Sequence, residues 1–254
     1  MTKAELHETL DFICEYAATL SGSGAYTSRV VRSAKRIAAA AGVRLGIITS
    51  HASIIVSVED SESGLILTKI EENRKSSISF ELNANLCRLS WRAVDESLPL
   101  AEIKRRYSEI LKKPKMDTLF TLFIVGFANA SFCRLFNGDF LAMAIVFSST
   151  LVGFSVKLYM QKKAANEYIT FITSAFSASI CAAAALCFEC ESETALATSP
   201  LFLIPGVPLI NGIIDILDGF TLSGVNRLIK AALLIICIAV GLSLTLLMVR
   251  GAIL

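Results

Sequence analysis

The chain has 254 residues, of which 54% are hydrophobic and only 18% are charged, and its mean hydropathy is +0.62. A soluble domain usually carries about a quarter charged residues, so this composition argues against a wholly soluble protein. The formal net charge of +2 is too small to indicate nucleic-acid binding, and no nucleic-acid partner is predicted.

The charged residues are concentrated in the first half of the chain. Residues 1–116 hold 17 Lys and Arg and 14 Asp and Glu, whereas residues 117–254 hold 7 and 8. No short apolar run followed by a small-residue cleavage site opens the chain, so we expect no signal peptide. The sequence therefore predicts two domains, a soluble domain over residues 1–115 and a transmembrane helical bundle over residues 116–254.

The soluble domain is predicted to be a small α+β domain. Apolar residues recur at helical spacing over residues 6–20 and 30–41, and Thr27 is a candidate N-cap of the second helix. Two more helices are expected, one capped by Asn83 and one beginning near Pro99, which suits a first helical turn. Between the two pairs of helices lie four segments rich in β-branched residues, which predict strands: residues 45–49, 53–58, 65–70 and 77–82.

One group of polar residues in this domain is compatible with catalysis. His51 lies among Ser50, Ser53 and Asp60, residue types that build a Ser/His/Asp hydrolase. The alternative is a half-exposed strand that carries polar residues at alternate positions. Because closeness in sequence says nothing about triad geometry, we assign no catalytic residue and do not predict an enzyme. We also find no nucleotide-binding loop or metal-ligand spacing in this domain, and we expect no cofactor or metal.

The second half contains five apolar stretches of the length that crosses a membrane, which is about 20 residues. Five such stretches in succession, with so few charges, favour an α-helical membrane protein over the core of a soluble one. We therefore predict about five transmembrane helices in a lipid bilayer, over residues 117–136, 140–160, 168–188, 199–217 and 228–249.

The basic residues in the connections predict the orientation of these helices. Lys and Arg cluster before the first span, between the second and third spans, and between the fourth and fifth. The opposite side has only Arg134 and Arg250, together with an acidic loop at residues 189–193. Because Lys and Arg favour the cytoplasmic side, the N-terminal domain is predicted to be cytoplasmic and the C-terminus to lie outside.

The odd number of spans predicts a partner. Many secondary transporters combine two repeats of opposite topology around a site near the middle of the membrane. A bundle of five helices with its N-terminus inside is what one such repeat would provide. We therefore expect a second membrane subunit or a second copy of this chain.

The fourth span has the most unusual sequence. Pro205, Gly206 and Pro208 interrupt an apolar run, and proline can neither donate a backbone hydrogen bond nor fit a regular helix interior. A broken helix is tolerated in a membrane where it lines a cavity, and such breaks often form the substrate site. The alternative is a packing kink with no ligand nearby.

Polar residues follow this break at helical spacing. Asn211 and Asp215 are four residues apart and share a helix face, and Asp218 lies near the predicted cytoplasmic boundary. An aspartate inside a span is costly unless it is paired, protonated or hydrated, so these residues are candidates for a substrate or ion pathway. The alternative is an acid at the interface that pairs with Arg227 or Lys230.

Two further residues are candidates for the same pathway. Asn129 lies in the first span, where its amide could contribute to a polar path through the bundle. Arg134 lies near the outer end of that span, where it could attract a carboxylate. For Arg134 an ion pair with Asp139 across the turn is the favoured alternative.

Three stretches of the sequence resemble the N-terminal half of the threonine/serine exporter family, and the likeness covers nearly the whole chain. They are Ser23-Gly24-Ala25-x-Thr27 with Arg29-Val30, then Asn137-Gly138, and then Pro205-Gly206-x-Pro208-Leu209-Ile210-Asn211 followed by Asp215, Gly219, Gly224 and Arg227. In this family a cytosolic domain precedes about ten membrane helices, in one chain or divided between two. This sequence resembles the divided, five-helix form, which implies a second membrane subunit.

The resemblance implies efflux of a small amino or carboxylic acid across a bacterial inner (plasma) membrane, driven by an ion gradient. The substrate would be threonine and serine or a dicarboxylate such as succinate, and the resemblance does not decide between them. The alternative function is a membrane-anchored sensor or scaffold whose cytosolic domain binds a ligand or partner. One helix would suffice as an anchor, so five helices with polar groups favour the exporter.

Overall fold

The computed structural model describes residues 1–254 except 51–52, 73–77, 115, 189 and 254, and over residues 250–253 it describes the backbone alone. The described part is mostly helical and contains one small three-stranded sheet. It divides into two compact units, Met1–Pro114 with Val207–Ile229, and Lys115–Gly206 with Lys230–Leu254. The predicted domain boundary at residue 115 stays a prediction. The sequence did not indicate that Val207–Ile229 packs with the N-terminal residues.

The first unit packs helices against one face of an antiparallel sheet with strand order β1-β2-β3. Alternate residues of β2 point into the core, and Ile54, Val56 and Val58 are fully buried, as period-2 alternation requires. The elements of residues 1–114 are α1 (Lys3–Gly22), α2 (Thr27–Ala40), β1 (Val43–Thr49), β2 (Ser53–Asp60), β3 (Ile66–Glu72), α3 (Phe80–Asp95) and α4 (Leu100–Lys112).

Three sequence predictions in this unit are wrong. A fourth strand was predicted at 77–82, of which residue 77 lies outside the described residues. Residues 80–82 instead form the start of α3, because the Ser79 hydroxyl accepts the N–H of Leu82 and caps the helix. Asn83 is therefore a buried residue of α3 and not its cap. Thr27 is the first residue of α2 and not its N-cap, which is Tyr26.

The second unit contains the long apolar helices except for residues 207–229, which belong to the first unit. Four helices of the described chain are long and apolar enough to span a membrane, or five if the broken pair Ser192–Leu203 and Gly206–Leu217 counts as one span. The helices of the membrane half are α5 (Thr118–Leu135), α6 (Phe140–Lys162), α7 (Glu167–Ala182) with a 3₁₀ turn (Ala183–Cys187), α8 (Ser192–Thr198), a 3₁₀ turn (Leu201–Leu203), α9 (Gly206–Leu217) and α10 (Thr221–Ile253).

A tight turn connects α5 to α6. Asn137 adopts a left-handed conformation with φ of +68°, and the N–H of Gly138 donates to the carbonyl oxygen of Cys133 at 2.9 Å. A Cβ atom at Gly138 would lie 2.4 Å from the Cys133 sulfur, so only glycine fits. The Asp139 carboxylate then accepts the N–H of Ala142 at 2.7 Å and caps α6.

Candidate functional site

The predicted break in the fourth span is confirmed, and it lies at Ile204–Pro205. A short 3₁₀ turn ends at Leu203, and α9 begins at Gly206. Pro208 is the third residue of α9, where its missing N–H costs nothing because the first four N–H groups of a helix lack intrahelical partners. The break therefore gives α9 its own N-terminus, immediately before the polar residues of interest.

Asp215 lies on α9 and is completely buried. Its Oδ1 accepts the backbone N–H of Thr27 at 2.7 Å, and its Oδ2 accepts the Thr27 hydroxyl at 2.9 Å. The Arg227 Nε lies 3.0 Å from the same Oδ2 and forms an ion pair. The sequence left open an ion pair of Asp215 with Arg227 or Lys230. The pair with Arg227 is formed, whereas Lys230 pairs with Glu167 at 2.9 Å.

The chemistry of α2 explains this position of the carboxylate. The N-cap Tyr26 makes no side-chain capping bond, and the first turn of α2 has no acidic residue. The N-terminus of a helix carries unsatisfied N–H groups and a partial positive charge, both of which stabilise an anion. Asp215 supplies that anion from a part of the chain 188 residues away.

The neighbours of Asp215 bind the same loop before α2. The Asn211 Nδ2 donates to the carbonyl oxygen of Gly24 at 2.9 Å, and Arg227 donates to that of Ala25 at 3.2 Å. The Ser28 hydroxyl donates to the Asp218 carboxylate. The structure thus brings Asn211, Asp215 and Asp218 together around one segment, residues 24–28, which contains the end of the loop before α2 and the first two residues of α2. We call this set of contacts the Asp215 network.

Close packing of α9 against the start of α10 places Arg227 beside Asp215. A Cβ atom at Gly224 would lie 2.6 Å from the carbonyl oxygen of Gly212, and one at Gly212 would lie 3.1 Å from that of Gly224. The two backbones are therefore in direct contact. This explains why two glycines stand where the helices cross.

Asn129 makes its described contacts within the second unit. Its Nδ2 donates to the Thr150 hydroxyl at 2.7 Å and to the carbonyl oxygens of Thr198 and Ser199 at 3.2 and 3.1 Å. These two carbonyls lie at the C-terminal end of α8, where intrahelical donors run out. The Asn129 Oδ1 is buried and has no hydrogen-bond partner among the described residues.

The expected ion pair between Arg134 and Asp139 is absent from the described residues. Arg134 donates to the carbonyl oxygen of Gly138 at 3.2 Å, and its guanidinium lies 5.6 Å from the centre of the Phe140 ring. Asp139 is used to cap α6. The tight turn at Asn137–Gly138 therefore gives each of the two charged groups a backbone partner.

The hydrolase interpretation does not fit the sheet. His51 lies outside the described residues, but Ser53 and Asp60 stand at opposite ends of β2, roughly 23 Å apart at 3.3 Å per residue. Asp60 accepts the hydroxyl of Ser63 at 2.6 Å and the amine of Met1 at 3.0 Å. These bonds lower the pKa of Asp60 to about 2. Asp60 stabilises the turn after β2 and is too far from Ser53 to join a triad.

The sequence does not indicate which residues at the start of α2 bind Asp215. The sequence pattern predicts Thr27 only as the N-cap of the second helix. It predicts no role for Ser28 or for the carbonyl groups of Gly24 and Ala25. The one available signal was that both segments carry the family resemblance. Metal binding was not predicted, and within the described residues no group of three His, Cys, Asp or Glu side chains could hold a metal ion.

The fold and site define a multi-pass membrane protein with a buried carboxylate directly after a broken helix. The chain belongs to the family described as "Putative threonine/serine exporter", which matches residues 11–249. It is accordingly a transporter of the inner membrane rather than an enzyme.

Two relatives are similar to the chain over most of its length. Both are named "Probable succinate transporter subunit YjjP", one from Klebsiella aerogenes and one from Escherichia coli K12. The first is 28% identical over 209 residues and the second 28% over 211, in each case covering 80% of both chains. No solved structure matches the chain.

Proposed function

We propose that this chain is one subunit of a secondary-active exporter of small carboxylic or amino acids, driven by an ion gradient and working with a second membrane subunit. Family membership supports export, and the word "subunit" in the names of both relatives supports a partner. Succinate is the first substrate to test because both relatives are named for it. Threonine and serine, from the family description, are the alternative.

The observation that carries this proposal is the Asp215 network directly behind the break at Ile204–Pro205. A broken helix in a membrane exposes backbone groups that can bind a solute, and a buried carboxylate is retained there only where it is paired or functional. In the described state both oxygens of Asp215 are occupied by Thr27 and Arg227. We infer that transport requires this network to open and close.

The proposed orientation places the N-terminal domain, residues 1–115, in the cytoplasm and the C-terminus outside. The basic ends of the described helices support it, because Lys162 ends α6 and Arg227 lies near the start of α10. Glu191 and Glu193 stand on the side assigned to the outside. The packing of Val207–Ile229 with the N-terminal unit is consistent with this orientation, in which the fourth span ends on the cytoplasmic side.

Efflux from cells tests the function. We expect deletion of the gene in its source strain to raise the intracellular retention of succinate, or of threonine, and the wild-type gene to restore release. Asp215→Asn should fail to restore release although the protein reaches the membrane, because the variant loses the charge that binds Arg227. Asp95→Asn makes the same change at an exposed end of α3 and is the matched control.

Either of two results contradicts this proposal. If deletion changes the retention of neither solute, the exporter assignment fails for both substrate classes. If deletion raises retention and Asp215→Asn restores release fully at wild-type abundance, export stands and the role of the Asp215 network is wrong.

A further inference from the structure

A cleft between α2 and α3 of the first unit is lined by three arginines, and none of them belongs to the Asp215 network. The cleft has a volume of about 360 Å³, which lies within the range of small-molecule sites. Arg29, Arg32 and Arg36 line it from α2, and their spacing of three and four residues puts them on one face of successive helical turns. Cys87 and Trp91 line the opposite side from α3.

Among the described residues, the three guanidinium groups have no carboxylate partner. Across the described part of the chain no ion pair involves them, and their hydrogen bonds go to neutral acceptors. Arg29 donates to the Asn83 Oδ1 at 3.2 Å, and Arg36 donates to the Ser90 hydroxyl at 3.3 Å. Arg32 donates to the Tyr26 hydroxyl at 3.3 Å and to Ser28.

Another arginine cluster in the same unit shows the contrast. On α4, Arg105 and Arg106 each bind Glu102 at 2.7 Å, and Arg106 also binds Glu96 at 2.9 Å. Those charges are compensated within the protein. The positive charge in the cleft between α2 and α3 has no compensating carboxylate in the described part of the chain, so an anion from solution would supply a partner.

Aromatic rings hold two of the guanidinium groups in place. The Arg36 guanidinium lies 3.7 Å from the centre of the Trp91 ring, and that of Arg29 lies 4.6 Å from the centre of the Tyr26 ring. A guanidinium over a ring face keeps its N–H groups pointing outward in the plane, free to bind a planar acceptor. These contacts restrict Arg29 and Arg36 before any ligand binds, which lowers the entropic cost of binding.

We propose that this cleft is a second solute site, which binds a small dicarboxylate from the cytosol. The choice of a dicarboxylate rests on the proposed function. The guanidinium fork matches a carboxylate in a bidentate way. Side chains one turn apart on a helix are separated by about 5–6 Å at Cβ, so a short dicarboxylate can bind two arginines at once and a monocarboxylate only one.

The cleft is linked to the Asp215 network by the hydrogen bonds of Ser28. Arg32 donates to both the carbonyl oxygen and the hydroxyl of Ser28, at 3.3 Å each. The same Ser28 hydroxyl donates to Asp218. A ligand that draws Arg32 into the cleft therefore acts on the loop that Asp215 and Asp218 bind, which makes the cleft a regulatory site for cytosolic solute.

Tryptophan fluorescence tests this proposal on the whole protein. Trp91 is the only tryptophan of the chain, so its emission reports on the cleft. We expect succinate, added at constant ionic strength to full-length protein in nanodiscs of zwitterionic lipid, to change the emission in a saturable way. Arg29→Gln and Arg32→Gln should weaken the apparent affinity about tenfold or more, because each removes a charged hydrogen-bond donor.

A matched control and four outcomes decide the result. Lys35→Gln removes the same charge from an exposed position of α2 outside the cleft and should leave the affinity unchanged. The proposal is overturned if wild type gives no saturable response to succinate, or if Lys35→Gln weakens binding as much as the arginine variants. It is also overturned if inorganic phosphate binds equally well, or if only nanodiscs with anionic lipid give the response.

Because Arg29 also binds Asn83, its variant is compared with the variant of the exposed Arg32, and both are checked for unchanged thermal unfolding. Binding and efflux are separate measurements. Binding without any efflux of succinate or threonine would leave the cleft site and remove the proposed function. Efflux without binding would remove the cleft site alone.

Discussion

At the scale of single residues, Asp215 depends on donors that are remote in sequence. It is fully buried, and its oxygens accept hydrogen bonds from Thr27 and an ion pair from Arg227. A buried ion pair adds little stability over a well-packed apolar pair, but removing one partner is costly because the other charge is left unpaired. The three residues are therefore expected to tolerate substitution only where the donors and the charges are kept.

The Thr27 hydroxyl provides a test of this network that keeps both charges. Thr27→Val preserves the shape of the side chain and the backbone N–H but removes the hydroxyl that donates to Asp215. We expect a loss of about 1–3 kcal/mol, since this hydrogen bond goes to a charged group. That loss corresponds to a decrease in Tm of about 2–10 °C, measured by thermal unfolding of the purified protein in detergent.

Thr27→Ser is the control, because it keeps the hydroxyl and should unfold close to the wild-type temperature. An unchanged Tm for Thr27→Val would mean that this hydrogen bond adds nothing to stability. The trans-capping of α2 would then depend on the backbone N–H of Thr27 alone.

At the scale of helices and strands, the contact between α9 and α10 sets the position of the network. The two glycines at the crossing let the backbones touch, and this contact brings Arg227 of α10 to Asp215 of α9. A helix pair with larger side chains at the crossing would separate, and the guanidinium would no longer reach the carboxylate. The geometry of the ion pair thus depends on two residues that have no side chain.

Gly224→Ala should separate these helices. The new Cβ would lie 2.6 Å from the backbone oxygen of Gly212 and 2.6 Å from the Ile216 side chain, and backbone atoms cannot move aside easily. Overpacking of this kind costs about 1–3 kcal/mol. We expect a lower Tm in detergent and reduced efflux in cells.

Gly206→Ala is the control within α9, because no atom lies within 4 Å of the Cβ it would add. Its Tm should stay at the wild-type value. If Gly224→Ala is as stable as Gly206→Ala, the close crossing is not what holds Arg227 in place.

At the scale of the whole molecule, the apolar helices are separated along the chain by short, charged connections. Lys and Arg are concentrated in the connections assigned to the cytoplasm, and this bias sets the orientation of most membrane proteins. The segment Val207–Ile229 contributes to the first compact unit although it lies among the membrane helices in sequence. The orientation of the chain therefore also determines towards which side of the membrane the Asp215 network lies.

Reporter fusions test this orientation. We expect a fluorescent protein fused to the N-terminus to fluoresce, and alkaline phosphatase fused to the C-terminus to be active, because that enzyme folds only outside the cytoplasm. A phosphatase inserted between α6 and α7, after Lys162, should be inactive and serves as the control. An inactive C-terminal fusion together with an active one after Lys162 would reverse the proposed orientation.

The sequence by itself determined where the long apolar helices α5, α6, α7 and α10 lie and where the predicted fourth span breaks. These features depend on hydropathy, on residue periodicity and on the absence of an N–H in Pro205, all of which act over one or two helical turns. The predicted spans accordingly begin and end within a few residues of α5 and α6. The strand predicted at 77–82 was wrong because a local cap at Ser79 outweighed a short apolar pattern.

Only the tertiary structure decided what the polar residues contact. The sequence singled out Asp215, but its hydrogen bonds to Thr27 join positions 188 residues apart, and no local pattern encodes such a pairing. The same holds for the bond between Asn129 and Ser199 and for the cleft between α2 and α3. A hydrophobic pattern in the sequence reflects burial alone. A hydrogen bond also requires a particular distance and direction between donor and acceptor, and this geometry exists only once the chain is folded.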